Sequence, residues 1–280
     1  MASAIGMMEL DDELVDEILE RNRVLNEWLC LIGGVPDLPE TREKLAESQR
    51  QNEAMEQGYW QSLDAADRQL FDAYEIRDGE GMRAALQAGA NPDLRLLWDG
   101  ERLVVDAVES SWPDGAVILL ESGANPLLDE GRLLTQLCFF GPAELLHEVL
   151  QLPGVSPDFS DGFDSLAVQA AEAGQVDCLR VLRAAGADLL ADDGKALCRA
   201  CAMNQPEVVR YLLEECGAPL EQDWDDWTPL AHAALHDSME CARILLEAGA
   251  APEHPGITGR TPLDRTESER MRQLLEHYCK

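Results

Sequence analysis

Two pairs of residues stand at spacings that chemistry uses. Cys198-Arg-Ala-Cys201 has the interval of a redox or metal-binding pair. His232-Ala-Ala-Leu-His236 puts two imidazoles on one face of a helix, because residues four apart share a face. Neither pattern is complete. No second cysteine pair follows at zinc-finger distance, and the histidines lack the adjacent Glu that acts as base in the H-E-x-x-H metalloprotease pattern. The cysteines read as a core pair and the histidines as packing and surface residues. Asp158, Asp161 and Asp164, or Asp223, Asp225 and Asp226, could attract a cation, yet neither run has the Gly and distal Glu of a calcium loop. There is no Gly-x-x-x-x-Gly-Lys phosphate cradle and no Gly-x-Ser-x-Gly nucleophile turn. The reading is of a chain that is no enzyme, with no catalytic residue, no metal and no cofactor.

The elements that position these residues are set by a repeat. Leu86-Gln-Ala-Gly-Ala-Asn-Pro92, Leu120-Glu-Ser-Gly-Ala-Asn-Pro126, Leu182-Arg-Ala-Ala-Gly-Ala-Asp188, Leu213-Glu-Glu-Cys-Gly-Ala-Pro219 and Leu246-Glu-Ala-Gly-Ala250 end alike, with a degenerate copy at Leu152-Pro-Gly-Val155. Their glycines, at 89, 123, 154, 186, 217 and 249, are separated by 34, 31, 32, 31 and 32 residues. Each Gly follows a Leu-rich stretch and can supply the left-handed C-terminal cap that a residue with a Cβ resists. Before it lie two short apolar helices, predicted in the last full unit at 229–235 and 238–247, with Asp237 in the tight turn between them. Small residues sit midway along the first helix of a unit (Ala170 and Ala171, Ala200 and Cys201, Ala233 and Ala234), where neighbouring units approach closely. One unit cannot bury its own apolar face, so the stack is what folds.

The chain resembles the ankyrin family over about residues 67–280. The family's Thr-Pro-Leu-His-x-Ala pattern appears as Thr228-Pro-Leu-Ala-His-Ala233 and, shortened, as Thr261-Pro-Leu263, while Arg102-Leu-Val, Ser165-Leu-Ala and Lys195-Ala-Leu occupy the same place elsewhere. The family's His is missing at its own place in all of them, so its usual hydrogen bonds to the hairpin turn lose their donor. The resemblance implies an all-α ankyrin-repeat solenoid of six to seven helix-turn-helix units joined by short hairpin loops. The units begin near 67, 99, 130, 161, 193, 226 and 259, the last being a short, charged cap. Residues 1–66 do not repeat. They carry a predicted helix with Leu14, Ile18, Leu25 and Trp28 at helical spacing, and a second, more polar one over 41–57. These helices cap the first unit, bind a partner, or hold a second copy of the chain.

Ankyrin proteins commonly grip partners with hairpin tips and the neighbouring first helices, which together form a concave face. Here the tips pair aromatics with acids: Trp98-Asp99, Phe159 with Asp161, Phe163-Asp164 and Asp223-Trp224-Asp225-Asp226-Trp227, with Asp192 and Asp193 in the same loop position. Tryptophan often dominates interfaces, so these thirteen residues are the expected partner-binding set. Trp224 and Trp227 can alternatively pack under their own hairpin, and Asp99, Asp193 and Asp226 can bond turn amides.

Charge narrows the partner. With 54 acids against 22 Lys and Arg, the formal charge is −32. Such a field repels nucleic-acid phosphates and anionic lipid and speeds encounter with a basic protein. Only three of the 22 bases are Lys (Lys44, Lys195, Lys280), which hints at a GC-rich, bacterial coding sequence. No apolar run approaches the roughly 18–20 residues of a membrane span, the start of the chain lacks the order of a secretory signal, and the eight scattered cysteines read as reduced thiols. The expectation is a cytoplasmic monomer. It holds a protein with a basic surface, such as a toxin or nuclease domain, as a stoichiometric inhibitor or immunity protein does. The alternative is an adaptor or effector that recruits its partner without inhibiting it.

Overall fold

A computed structural model of the chain describes residues 58–96, 100–225, 227–257 and 259–279. The helices expected before residue 58, and Trp98, Asp99 and Asp226, lie outside the described residues. The described residues belong to two compact units that divide between Asn125 and Pro126. The first holds α1 (Ala65–Glu75), α2 (Gly79–Gln87), α3 (Leu103–Glu109) and α4 (Pro113–Glu121). The second holds α5 (Leu128–Phe140), α6 (Ala143–Val149), α7 (Leu166–Glu172), α8 (Val176–Ala184), α9 (Ala191–Ala202), α10 (Pro206–Glu214), α11 (Pro229–Leu235), α12 (Met239–Glu247), α13 (Pro262–Arg265) and α14 (Glu269–Tyr278). No helix among the described residues is long and apolar enough to cross a membrane.

Local chemistry fixes where these helices start and stop. Ser165 and Thr228 cap α7 and α11 by accepting the amides of Val168 and Ala231, the usual role of a hydroxyl at a helix N-terminus. Pro113, Pro206, Pro229 and Pro262 open α4, α10, α11 and α13, where a missing N–H costs nothing. At the other end, Gly249 is left-handed at φ +102. Its amide donates to the Leu246 carbonyl and that of Ala250 reaches back to Leu245 at 2.9 Å, the paired closure that a left-handed cap makes. The turns inside five of the seven helix pairs among the described residues close in the same way. Asp78, Trp112, Gln175, Gln205 and Ser238 each donate an amide to an alanine five residues back (Ala73, Ala107, Ala170, Ala200, Ala233). These alanines are buried, so the small residues midway along the first helices carry both the tight turn and the close approach.

The loops between helix pairs differ from expectation. Hairpin bridges join Arg95 with Arg102, Ser160 with Ser165 and Trp224 with Trp227, and these fall in alternate loops. In the intervening loops the chain enters α5 and α9 through three successive left-handed residues, Asp129-Glu130-Gly131 (φ 52, 53 and 70) and Asp192-Asp193-Gly194 (φ 55, 54 and 74). Asp192 and Asp193 therefore form no hairpin. The reason is length: the two 31-residue glycine steps are those that contain these turns, and the steps of 32 and 34 contain the hairpins. A short Asp side chain tolerates the left-handed region better than most, which suits Asp192, Asp193 and Asp129 to this turn.

Candidate protein-binding surface

In the second unit the hairpin at 224–227 closes with two backbone bonds, Trp224 amide to Trp227 carbonyl at 3.0 Å and the reverse at 3.1 Å. Both indoles lie against His232 of α11, with ring centres 5.3 and 5.4 Å apart. The His232 ring is buried, and its Nε2 stands 3.2 Å from the Trp224 carbonyl. A carbonyl only accepts, so Nε2 carries the proton and donates. This corrects the expectation of a lost donor: a histidine one position beyond the family's usual place bonds the hairpin. Burial lowers the His232 pKa from its ordinary value, and the bond to Trp224 opposes that. Cations cover the indoles, with the Arg265 guanidinium 3.6 Å from the Trp227 ring centre and the Lys195 ammonium 5.3 Å from that of Trp224. Contacts of this kind contribute about 0.5–2 kcal/mol. Both indoles are half-buried, so Trp224 and Trp227 pack on the fold while part of each ring stays in water.

The hairpin at 160–165 is held from within. The Asp161 carboxylate accepts the amides of Phe163 (2.9 Å) and Asp164 (2.8 Å) and the Gln169 side-chain amide (2.8 Å). Asp164 pairs with Lys195 at 2.6 Å. Phe159 points inward and covers Gly131, where an added Cβ would collide with its ring. Phe163 at the tip is 85% exposed. Ile257, in the loop before α13, is 75% exposed, an apolar tip that motif reading passed over because no acid stands beside it.

Other loop acids are stitched into the stack. Asp158 accepts the Asp188 amide at 2.9 Å and Glu221 the Ala251 amide at 2.6 Å, each about one repeat away. In the first unit, Asp93 does the same for Asn125 at 2.9 Å and pairs with the buried Arg102 at 2.8 Å. Asp223 is half-buried, whereas Asp192, Asp193 and Asp225 are exposed. Of the thirteen expected residues, Trp98, Asp99 and Asp226 lie outside the described residues. The structure turns Phe159, Asp161, Asp164, Trp224 and Trp227 to structural use and leaves Phe163, Asp192, Asp193 and Asp225 open to solvent.

The remaining chemical pairs sit in packing positions. Cys198 and Cys201 are wholly buried in α9. Burial pushes the Cys198 thiol up to about 12, against a lowering bond to the Trp224 backbone, and raises Cys201 well above its ordinary value. Thiols in that state are poor nucleophiles and poor metal ligands. His236 is exposed one turn from buried His232. Among the described residues no three His, Cys, Asp or Glu side chains gather to hold a metal ion.

Comparison with known proteins places this architecture. Residues 134–223 and 167–256 match a family model described as ankyrin repeats (3 copies). Ankyrin repeat and SOCS box protein 16 of Homo sapiens is 39% identical over 101 residues, covering 35% of this chain and 22% of that protein. Potassium channel KOR1 of Oryza sativa subsp. japonica is 38% identical over 90 residues, covering 31% of this chain and 10% of that protein. The chain thus spans less than a quarter of the length of these two relatives. Both are eukaryotic, and they lend no support to a bacterial origin. Among solved structures, the human ASB11 ankyrin repeat domain superposes with a TM-score of 0.63 at 22% identity, over 75% of this chain and 96% of that one. The ankyrin repeat domain of Bcl-3 gives 0.58 at 19% identity, over 74% and 97%. At that identity the likeness is one of fold, an all-α ankyrin solenoid.

Proposed function

This chain is an ankyrin-repeat protein, a module for contact between proteins, and we propose that it seats a basic partner on the hairpin side of residues 126–279 and silences it. The observation that carries this reading is Phe163, 85% exposed at the tip of a hairpin whose backbone is tied down by Asp161. A large ring held in water on a rigid support is what an interface anchor requires. The exposed acids Asp192, Asp193 and Asp225 come from neighbouring loops of the same unit, and the whole chain carries −32. A surface of this kind suits a partner rich in Arg and Lys, and a toxin or nuclease domain that binds phosphates has one. On this reading the protein is a cytoplasmic monomer without catalytic activity of its own.

The test uses partner captured from the native cell. Phe163→Ala is expected to weaken binding by about 2 kcal/mol while leaving the folded protein intact. Association is expected to slow as the Debye length shrinks to about 8–10 Å, and partner activity to vanish at one-to-one stoichiometry. Normal binding by Phe163→Ala together with salt-independent association overturns the surface. A second reading, recruitment without inhibition, draws on relatives whose names set ankyrin repeats beside a SOCS box. A partner that stays fully active in the complex decides for it.

A further inference from the structure

Lys195 sits where the chain between helix pairs is shortest. It follows directly on the left-handed turn Asp192-Asp193-Gly194, with a hairpin-bearing loop on either side in sequence. Its ammonium lies 2.6 Å from Asp164 Oδ1 and donates to the Phe163 carbonyl at 2.9 Å. The same nitrogen stands 5.3 Å from the ring centre of Trp224. Asp164 and Phe163 belong to the hairpin before the turn, and Trp224 to the hairpin after it. The Lys195 side chain is 18% exposed and that of Asp164 22%, so water screens this pair less than it screens an ordinary surface pair.

We propose that Lys195 is a positioning residue for partner binding, a strut that draws the 160–165 and 224–227 hairpins together over the contracted turn. Its neighbours in the turn offer no such reach. Asp192 and Asp193 are exposed, and Gly194 is closed in by the Gln222 side chain, whose Oε1 would stand 3.3 Å from an added Cβ. A four-carbon stem is long enough to carry a charge from the turn to both hairpins. A single ammonium can also pair with a carboxylate, bond a carbonyl and face a ring at once, since it has three donors and a diffuse attraction to aromatic faces. The carbonyl that it holds is that of Phe163, so the strut acts directly on the residue carrying the exposed ring. The result is one preformed surface on which Phe163 and Asp225 keep a fixed relation, which lowers the ordering cost of binding. The geometry stands independently of any partner, whereas its meaning for binding rests on the docking role of Phe163.

The test compares the full chain with Lys195→Met and Lys195→Arg, without partner. Lys195→Met is expected to speed amide hydrogen exchange at Phe163 and Asp164 by about tenfold, well beyond the small, uniform change in helix protection that the lost contacts themselves bring. It is also expected to alter tryptophan emission, and that difference should vanish in a Trp224→Phe background. Lys195→Arg keeps the charge, the carboxylate pairing and the ring contact, and is expected to restore slow exchange. Unchanged exchange and emission in Lys195→Met overturn the strut. So does an equally large loss of protection in the helices, which marks a general stability role. Phe163→Ala leaves the Lys195 contacts with Asp164 and Trp224 in place, so failure of the strut and failure of the docking reading are separately visible.

Discussion

The hairpin at 160–165 leaves its tip ring in water, whereas the hairpin at 224–227 keeps both indoles half-buried against His232 with a cation over each. The two have the same place in the repeat and both mix acids with aromatics, but Phe163 lies between the bridged residues of its hairpin, whereas Trp224 and Trp227 are themselves the bridged pair. Their neighbourhoods separate them further. Trp224 and Trp227 meet Lys195 and Arg265, while the Phe163 ring stays 85% exposed and its backbone is tied by Asp161 and Lys195. An aromatic in such a hairpin is therefore left open to a partner or made a peg for the fold, according to its place in the turn and what the next repeat offers it.

Replacing the rings should separate these roles most sharply. Trp227→Ala is expected to destabilise the protein by about 2–3 kcal/mol, below the cost for a fully buried tryptophan, as read by a shift of the denaturant midpoint at constant slope. Phe163→Ala, which weakens partner binding, is expected to move that midpoint by no more than about 0.5 kcal/mol. Equal effects of the two changes on stability would erase the distinction between the hairpins.

The second effect is smaller and concerns what lies beneath the 224–227 hairpin. Cys198 and Cys201 are wholly buried on α9, and the Trp224 backbone opposes the rise in the Cys198 pKa that burial causes. Cys198→Ala with Cys201→Ala should cost about 1 kcal/mol for each atom removed from the core, and leave partner binding and the exchange rate at Phe163 as they were. Stoichiometric zinc in the native protein, lost in the double variant, would reinstate the pair as ligands and break the assignment of this hairpin to structure alone.

The helices were legible in the sequence because their determinants are local. The segments predicted at 229–235 and 238–247 form as Pro229–Leu235 and Met239–Glu247, with Asp237 left-handed between them at φ 55. The repeat glycines 89, 123, 154, 186, 217 and 249 are all left-handed. The alternation of hairpin and contracted turn was present as the difference between glycine steps of 31 and those of 32 or 34, a signal hidden by averaging them to one period. The candidate surface was less legible. Whether an aromatic is covered depends on residues a repeat away: Lys195 and Arg265 resemble any other surface base until stacking brings them over Trp224 and Trp227. The acids Asp158 and Glu221 were equally opaque, since the amides they accept at Asp188 and Ala251 become neighbours only in the folded stack.

The finest test of the comparison is titration, because only the 224–227 hairpin has an imidazole at its centre. His232 can donate Nε2–H to the Trp224 carbonyl in both its neutral and its charged form, so the surroundings decide its charge. Burial lowers its pKa first and most, with His236 and Arg199 adding to the lowering, while the Trp224 bond and Asp225 oppose it. The cations Lys195 and Arg265 stand over the indoles that flank it, so a third positive charge would arrive where two are already held. The folded pKa therefore lies below the ordinary value of 6.5. Between the two values the unfolded chain binds more protons than the folded one, and stability rises with pH. The His232 contribution is complete above about 6.5. It declines as pH falls below that point and levels off once the folded pKa is passed. His232→Gln keeps a donor for the Trp224 carbonyl but does not titrate. The expected outcome is a wild-type denaturant midpoint that falls, relative to that of His232→Gln, as pH drops from 7.5 through 6.5 toward 5. Parallel curves would mean that the imidazole gains its proton as easily within the fold as outside it. The 224–227 hairpin would then be as open to water as the tip of its neighbour.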